Sequence, residues 1–471
     1  MSLGARKILK SPTNRDRNIR MASSIDTTLL LEELKHKYRD TLSPVEVSFR
    51  NMVGWVRPGD QFTHQIHPYP AKLLPHIANF FIQASSICNG DQQVLDPFCG
   101  SGTVALEASL AGTRPLIADA NPFAMLLAKV KTTPYDPEVL LRSAEILRHR
   151  IARLRTGPVI SIVNEELWYH PKIKKSLEII LRSIMELEDG CIRDFFRVCF
   201  SATARRLSFA DPTISVPVRL KQKSSLSDKA NEAIFAQLKW LETADPPGEF
   251  FRIVQSNIGR VLSANRMSPK RCAAIPVGVD ARSLQLADGK RLPDNSIELT
   301  ITSPPYGSAQ KYVRASSLSL NWLSLCDPNQ LADLESRSIG REHLSAKRRL
   351  TGEVFNASSR FKHLLEDVHQ RNPFRSLITE TYLKEMTAAL TELYRVTAVG
   401  GHAVIVIGNN TVAGLRLEND NYITEVMQGL GFYLELVLAD RIHSRGLMTV
   451  RNKSAGLISG ETILMFKKCA S

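Results

Sequence analysis

Short apolar runs and amphipathic stretches alternate between residues 93 and 131. Gln93-Val94-Leu95 reads as a buried strand ending in Asp96, and the turn Phe98–Gly102 leads into a helical stretch, TVALEASLAG, closed by Gly112. PLIAD reads as a second strand ending at Asp119, and Asn121-Pro122 opens a further helix, AMLLAKVKT. Strand, glycine turn, helix and strand in that order form a βαβ unit, which predicts a parallel sheet. Upstream, helical spacing begins near Ile25 with Ser24 as its cap, and FTHQIHPYPAKLLP precedes the apolar run HIANFFIQASSI. From about 136 to 272 the period is helical throughout, as in EVLLRSAEILRHRIARL and DFFRVCFSATARRL, so a helical insertion is expected rather than more sheet.

Sheet signals return in AAIPVGVD (273–280) and in SIELTITSPPY (296–306). Residues 327–375 are polar and read as irregular, a long loop or small insertion. YLKEMTAALTELYRV is an amphipathic helix expected to end at Gly400-Gly401. HAVIVIG, GFYLELVLADRI and GETILMFKK are three late strands, the last two an antiparallel edge pair. The class is α/β.

Composition narrows the partners. The chain has 471 residues, 43% hydrophobic and 23% charged, an ordinary globular balance that excludes disorder of the whole chain. Lys and Arg number 61 against 47 Asp and Glu, a net charge of +14, which favours a polyanionic partner such as nucleic acid or an acidic membrane surface. Residues 1–22 hold six basic residues and one acid, Asp16, and read as a flexible basic arm. Seven cysteines lie singly with no CxxC pair, so no metal site is expected. The first residues lack the apolar core of a signal peptide, and no run of 18 apolar residues occurs, so a soluble, cytoplasmic protein without membrane contact is expected.

Two motifs carry chemistry. Asp96-Pro-Phe98-Cys-Gly100-Ser101-Gly102-Thr103-Val-Ala is G-x-G-x-x-A between a strand and a helix. Its glycines allow a sharp turn and close approach of backbone to a ligand, and Asp119 falls where an acid bonds ribose hydroxyls. This loop alone also fits a nicotinamide-binding Rossmann protein; the rest of the chain decides against it. Thr302-Ser303-Pro304-Pro305-Tyr306 is a stiff turn offering a hydroxyl, a directed carbonyl and an aromatic face. Such a turn suits an exocyclic amine on a base taken out of its helix, with Tyr306 stacked on that base.

Together DPFCGSGT and TSPPY resemble the amino-methylating DNA methyltransferases, the cytosine-N4 and adenine-N6 type. HPYPAK at 67–72 and Val279-Asp280-Ala281-Arg282 resemble two further segments of that family. The resemblance implies a Rossmann-like, seven-stranded, mostly parallel methyltransferase sheet and S-adenosyl-L-methionine as cofactor. It places Pro68, Tyr69, Pro70, Asp96, Phe98, Gly100, Ser101, Gly102, Thr103, Asp119, Ala120, Asp280 and Ala281 around the cofactor. It gives the target base to Ser303, Pro304, Pro305 and Tyr306. Serine before the two prolines favours cytosine N4. The absence of any Pro-Cys speaks against carbon-5 methylation. The partner implied is duplex DNA with its target base flipped, and, for site-specific members, a restriction endonuclease. Alternatives are adenine-N6 methylation, RNA base methylation and a non-catalytic DNA-binding protein of the same fold.

The expected organisation is a basic arm (1–22), a cofactor-binding half (23–136), a helical insertion that is a candidate for target recognition (137–272), and a catalytic half (273–471) carrying the inserted polar segment 327–375. Candidate DNA contacts are Arg205, Arg206 and Arg219 in the insertion and Lys311, Arg314 and Arg348 after the TSPPY turn. Nothing in the sequence fixes an oligomeric state.

Overall fold

The structure, a computed structural model, describes residues 25–54, 56, 62–70, 72–307, 312–344, 358–441 and 460–470. The basic arm and the candidate contacts Lys311 and Arg348 lie outside the described residues.

Ten strands follow in chain order: β1 (Val45–Val47), β2 (Gln93–Asp96), β3 (Arg114–Ile117), β4 (Ile275–Pro276), β5 (Ile297–Thr302), β6 (Thr397–Ile407), β7 (Asn410–Val412), β8 (Leu415–Leu417), β9 (Phe432–Arg441) and β10 (Gly460–Lys468). Eight form one sheet in the order β1-β9-β10-β6-β5-β2-β3-β4, while β7 and β8 make a separate hairpin. The centre is parallel, as the βαβ reading predicts: β2 pairs with β3 and β5 in parallel, and β5 with β6. The expected count of seven is therefore one short. The extra strand is β1, parallel to β9, and three residues are too few to show a period. It also moves the expected edge pair inward. β9 and β10 are antiparallel, but β10 lies between β9 and β6, and β1 covers β9.

Helices pack on both faces. Before the insertion come α1 (Thr28–Thr41), α2 (Pro75–Ile82), α3 (Thr103–Ala111) and α4 (Pro122–Thr132). The first starts three residues later than Ile25, where the Asp26 carboxylate accepts the Thr28 amide at 2.8 Å. The insertion contains α5 (Pro137–Arg153), α6 (Pro171–Met185), α7 (Gly190–Arg206), α8 (Asp228–Thr243) and α9 (Pro246–Met267). Several starts carry side-chain caps: Asp136 accepts the Glu138 amide and Asp189 those of Cys191 and Ile192. Their apolar faces share one core with α4 and with α10 (Tyr312–Trp322), centred on Phe195, Phe196, Phe200 and Trp322, all buried. The insertion leaves after α4 and returns before β4. At that stem the buried Arg271 guanidinium donates to the carbonyls of Lys131, Thr132 and Thr133 at 3.2, 3.2 and 2.8 Å.

Two expectations change beyond α10. Much of the described part of 327–375 is helical, with a short helix at Leu331–Arg337, then α11 (Ser359–Arg371) and the start of α12 (Pro373–Val396). Its polar composition belongs to exposed helix faces. α12 ends at Val396, and Gly400 and Gly401 lie inside β6. A Cβ on Gly401 would meet the carbonyl oxygens of Ala398, Glu298 and Ile297 at 2.9, 3.0 and 3.1 Å, so close strand packing, not a helix stop, requires this glycine. Beyond it, α13 (Asn419–Leu430) returns the chain to β9.

Candidate active site

The ends of β2, β3, β4 and β5 meet a cleft of about 240 Å³. Parallel strands deliver their loops to one side of the sheet, and a ligand crevice at strand ends is what this topology provides. The β2–α3 loop forms its floor. Gly102 has φ +72° and a Cβ there would sit 2.7 Å from Ala128, so only glycine lets the loop lie against α4.

Asp119 binds this loop in place. Its Oδ2 accepts the Gly100 amide and its Oδ1 the Asn121 amide, each at 2.8 Å. Burial pushes its carboxyl pKa up, while the Asn121 and Gly100 amides oppose the shift. Two accepted amides leave half of a carboxylate's lone pairs for a ligand hydroxyl.

Asp96, at the end of β2, is buried and faces β5. Thr302 donates its hydroxyl to Asp96 Oδ1 at 2.7 Å. The bond joins the strand that ends in the glycine loop to the strand that ends in the proline turn. Burial raises the Asp96 pKa to about 7, against the Thr302 hydroxyl and the Phe98 amide.

Beyond Thr302 the turn places Ser303, Pro305 and Tyr306 on the cleft. Tyr306 is buried, and its hydroxyl donates to Glu461 Oε1 at 3.2 Å. On the far side Asp280 is held by Arg282, whose guanidinium reaches both carboxylate oxygens at 2.8–3.1 Å and also pairs with Glu385 at 3.0 Å. Partial burial works against the Asp280 charge, but Arg282 outweighs it and holds the pKa below the usual value.

Of the expected cofactor contacts, Tyr69, Phe98, Gly100, Asp119, Ala120, Asp280 and Ala281 line this cleft together with Ser303, Pro305 and Tyr306. Asp96, Ser101, Gly102, Thr103 and Pro304 are buried beside it without lining it. Pro68 and Pro70 line a neighbouring cavity instead. Arg205 and Arg206 line that second cavity as well. Arg219 is exposed and donates to the Leu167 carbonyl at 2.6 Å, and Arg314 is exposed on α10.

The structure adds lining residues that sequence reading did not name: Asn121, Tyr312, Arg337 and Glu461. Asn121 had a signal, being the cap next to Ala120; its Nδ2 donates to Ser316 Oγ on α10 at 2.9 Å. Glu461 had none, because only the insertion of β10 between β6 and β9 brings it to Tyr306. Lys72 lines the cleft too, its ammonium donating to the carbonyls of His64 and His67 at 3.2 and 3.3 Å, and burial lowers its pKa to about 8. His67 is buried between the Pro68 carbonyl and Ser201 Oγ. Burial lowers its pKa to about 3, so at neutral pH it is uncharged.

Carboxylates at strand ends, an open glycine turn and aromatic walls fit a cationic, nucleoside-bearing cofactor such as S-adenosyl-L-methionine. Among the described residues no group of three or more His, Cys, Asp or Glu gathers to hold a metal ion, and no helix is long and apolar enough to cross a membrane.

Comparison with known proteins points the same way. Residues 65–155 match the family described as UPF0020, RMKL-like methyltransferase domain. The chain is 22% identical to the type II methyltransferase M.MvaI of Kocuria varians over 387 residues, 78% of this chain and 81% of that protein. It is 21% identical to the type II methyltransferase M.BsoBI of Geobacillus stearothermophilus over 459 residues, 85% of this chain and 84% of that protein. A shorter likeness, 41% over 53 residues, 11% of this chain and 16% of the other, is to a tRNA (guanine(10)-N2)-dimethyltransferase of Methanothermobacter thermautotrophicus. These likenesses support a methyltransferase, and with it S-adenosyl-L-methionine as the cofactor.

Proposed function

We propose that the protein is an S-adenosyl-L-methionine-dependent methyltransferase acting on an exocyclic amine of a DNA base, with cytosine N4 the favoured target. The observation that carries the reading is that the glycine loop and the Ser303–Tyr306 turn open on one cleft and are joined beneath it by the Thr302–Asp96 bond. Two likenesses to type II methyltransferases, covering 78% and 85% of this chain, favour DNA as the substrate. In this reading Asp119 bonds the cofactor ribose, Asp280 its adenine, and Tyr69 and Phe98 flank it. The cofactor supplies an electrophilic methyl group. Ser303 and the carbonyl at Pro304 orient the amine, and Tyr306 stacks on a base flipped out of the duplex. The insertion 137–272 lies beside the cleft and is assigned to target recognition; a restriction endonuclease would be the partner of such an enzyme.

Incubation of genomic DNA and, in parallel, of total RNA with the protein and methyl-labelled cofactor, followed by nuclease digestion and mass spectrometry, tests this. Labelled N4-methylcytosine is expected. N6-methyladenine would move the target but keep the chemistry. Label appearing only in RNA would favour the second reading, an RNA base methyltransferase, which the short likeness to the tRNA enzyme supports. No transfer to either polymer, with no cofactor binding, would leave a non-catalytic protein of this fold.

A further inference from the structure

A second cavity, of about 550 Å³, lies on the other side of the His67–Pro70 segment. Its volume is within the range of ligand pockets, roughly 300–1,000 Å³. It is walled by α7, α9, α10 and the loop that follows α7. Four guanidinia line it, those of Arg205, Arg206, Arg252 and Arg260, and no carboxylate lines it among the described residues. One acid behind the wall, Glu249, pairs with Arg206 at 2.7 Å and with Arg252 at 2.8 Å. Arg205 donates through Nη2 to the carbonyls of Asp211 and Ile214, whereas its buried Nη1 has no partner. Arg260 is oriented by Ser256 Oγ and Asn257 Oδ1 at 2.8 and 2.7 Å.

The remaining wall is of a different kind. Proline and aliphatic side chains, among them Pro212, Ile214, Pro217 and Leu318, give flat apolar contact. A ligand that pairs with guanidinia and also covers proline and aliphatic surface is a phosphorylated planar group, that is, a nucleotide. Position selects its source. Tyr69 lines both cavities, and the Asn121–Ser316 bond runs from the wall of the first to the wall of the second. A strand whose target base enters the first cavity has its neighbouring nucleotides within reach of the second.

We propose that this cavity binds a nucleotide of the same strand as the target base, with its phosphate on the arginines. The inference rests on the proposed action on nucleic acid and deepens it: the enzyme holds two nucleotides of one strand, one for chemistry and one for grip. A free nucleotide has the same chemistry, and the test separates the two sources.

The test uses the full chain and its Arg252→Gln and Arg260→Gln variants. Fluorescence anisotropy of a mixed-sequence 20-mer, single-stranded and as duplex, is read from 50 to 300 mM salt. Calorimetry reads S-adenosyl-L-methionine, and thermal shift reads dAMP and dCMP. Each variant is expected to weaken strand binding and to lower the log–log salt slope by about one, with cofactor affinity unchanged and no protection by free nucleotides. Unchanged strand affinity and slope in both variants overturns the inference while leaving the proposed reaction standing. Protection of wild type but not Arg260→Gln by dAMP or dCMP, with unchanged strand slopes, overturns the strand assignment in favour of a free nucleotide. If the wild type binds neither polymer form at any salt, the proposed substrate fails first, and the inference with it.

Discussion

The two cavities share Tyr69 and little else. The first is lined by three carboxylates, Asp119, Asp280 and Glu461, delivered from the ends of strands or the first residues after them. The second is lined by four arginines, delivered from α7 and α9. A chain of net charge +14 thus sets acids where a sulfonium cofactor would lie and bases where a polyanion would lie. Strand ends are fixed by backbone pairing, so a residue there has its position decided locally. Arginines on helices converge only after the helices pack.

The largest expected effect tests the basic side. If binding neutralises about six phosphates, affinity for DNA falls with a log–log salt slope near −5, roughly a thousandfold between 50 and 200 mM. A flat titration would reduce the arginine cavity to a solvated surface. Next comes the acidic side. Asp119→Ala removes the acceptor of two amides and the proposed ribose contact, and is expected to weaken cofactor binding by about 30- to 1,000-fold by calorimetry. DNA affinity at fixed salt should hold. A parallel loss of DNA affinity would show that the cavities are not separable.

Tyr306 lies on the first cavity, and its substitutions are expected to act on chemistry. Tyr306→Ala should slow single-turnover methylation by roughly 5- to 150-fold, the equivalent of about 1–3 kcal/mol of base stacking. Tyr306→Phe should keep most of the rate, since the ring face survives and what is lost is the hydroxyl's bonding to Glu461 and Ser303. Equal rates for wild type and Tyr306→Ala on folded protein would remove the base-holding role.

A further effect is on stability. Asp96 has a folded pKa of about 7, raised by burial above its unfolded value of 3.8. The native state therefore binds more protons between these values, and stability falls as pH rises from about 4 to 7, by at most about 1.4 kcal/mol per unit. Below this window the contribution is fully present; above it, it is lost. Asp96→Asn should flatten the slope in urea unfolding at pH 5 and 7; an unchanged slope would assign it to another group.

Legibility followed the same division. The strand–turn–helix around Gly100 and Gly102, Asp119 and the Ser303–Tyr306 turn were readable because motif and period coincide on adjacent residues. Asp280 was read as the end of a strand, but β4 stops at Pro276 and Asp280 lies in the loop after it, still on the cleft. Glu461 was not, since its role depends on an antiparallel strand threading between two others. β1 escaped because three residues carry no period, and α11 because a polar surface helix resembles a loop in composition. Pro68 and Pro70 line the second cavity, whereas Tyr69 between them reaches the first as well, because side chains one residue apart along an extended chain point to opposite faces.

Arg271 bears on how the two ends of the insertion are held together. β3 and β4 pair in parallel at Leu116–Ile275 and Ile117–Pro276, with the whole helical insertion between them in sequence. In an unfolded chain, closing so long a loop costs entropy before any strand contact forms. A folded insertion whose exit residue already grips Lys131, Thr132 and Thr133 removes that cost, because its two ends arrive together. A pairing remote in sequence then becomes local in space.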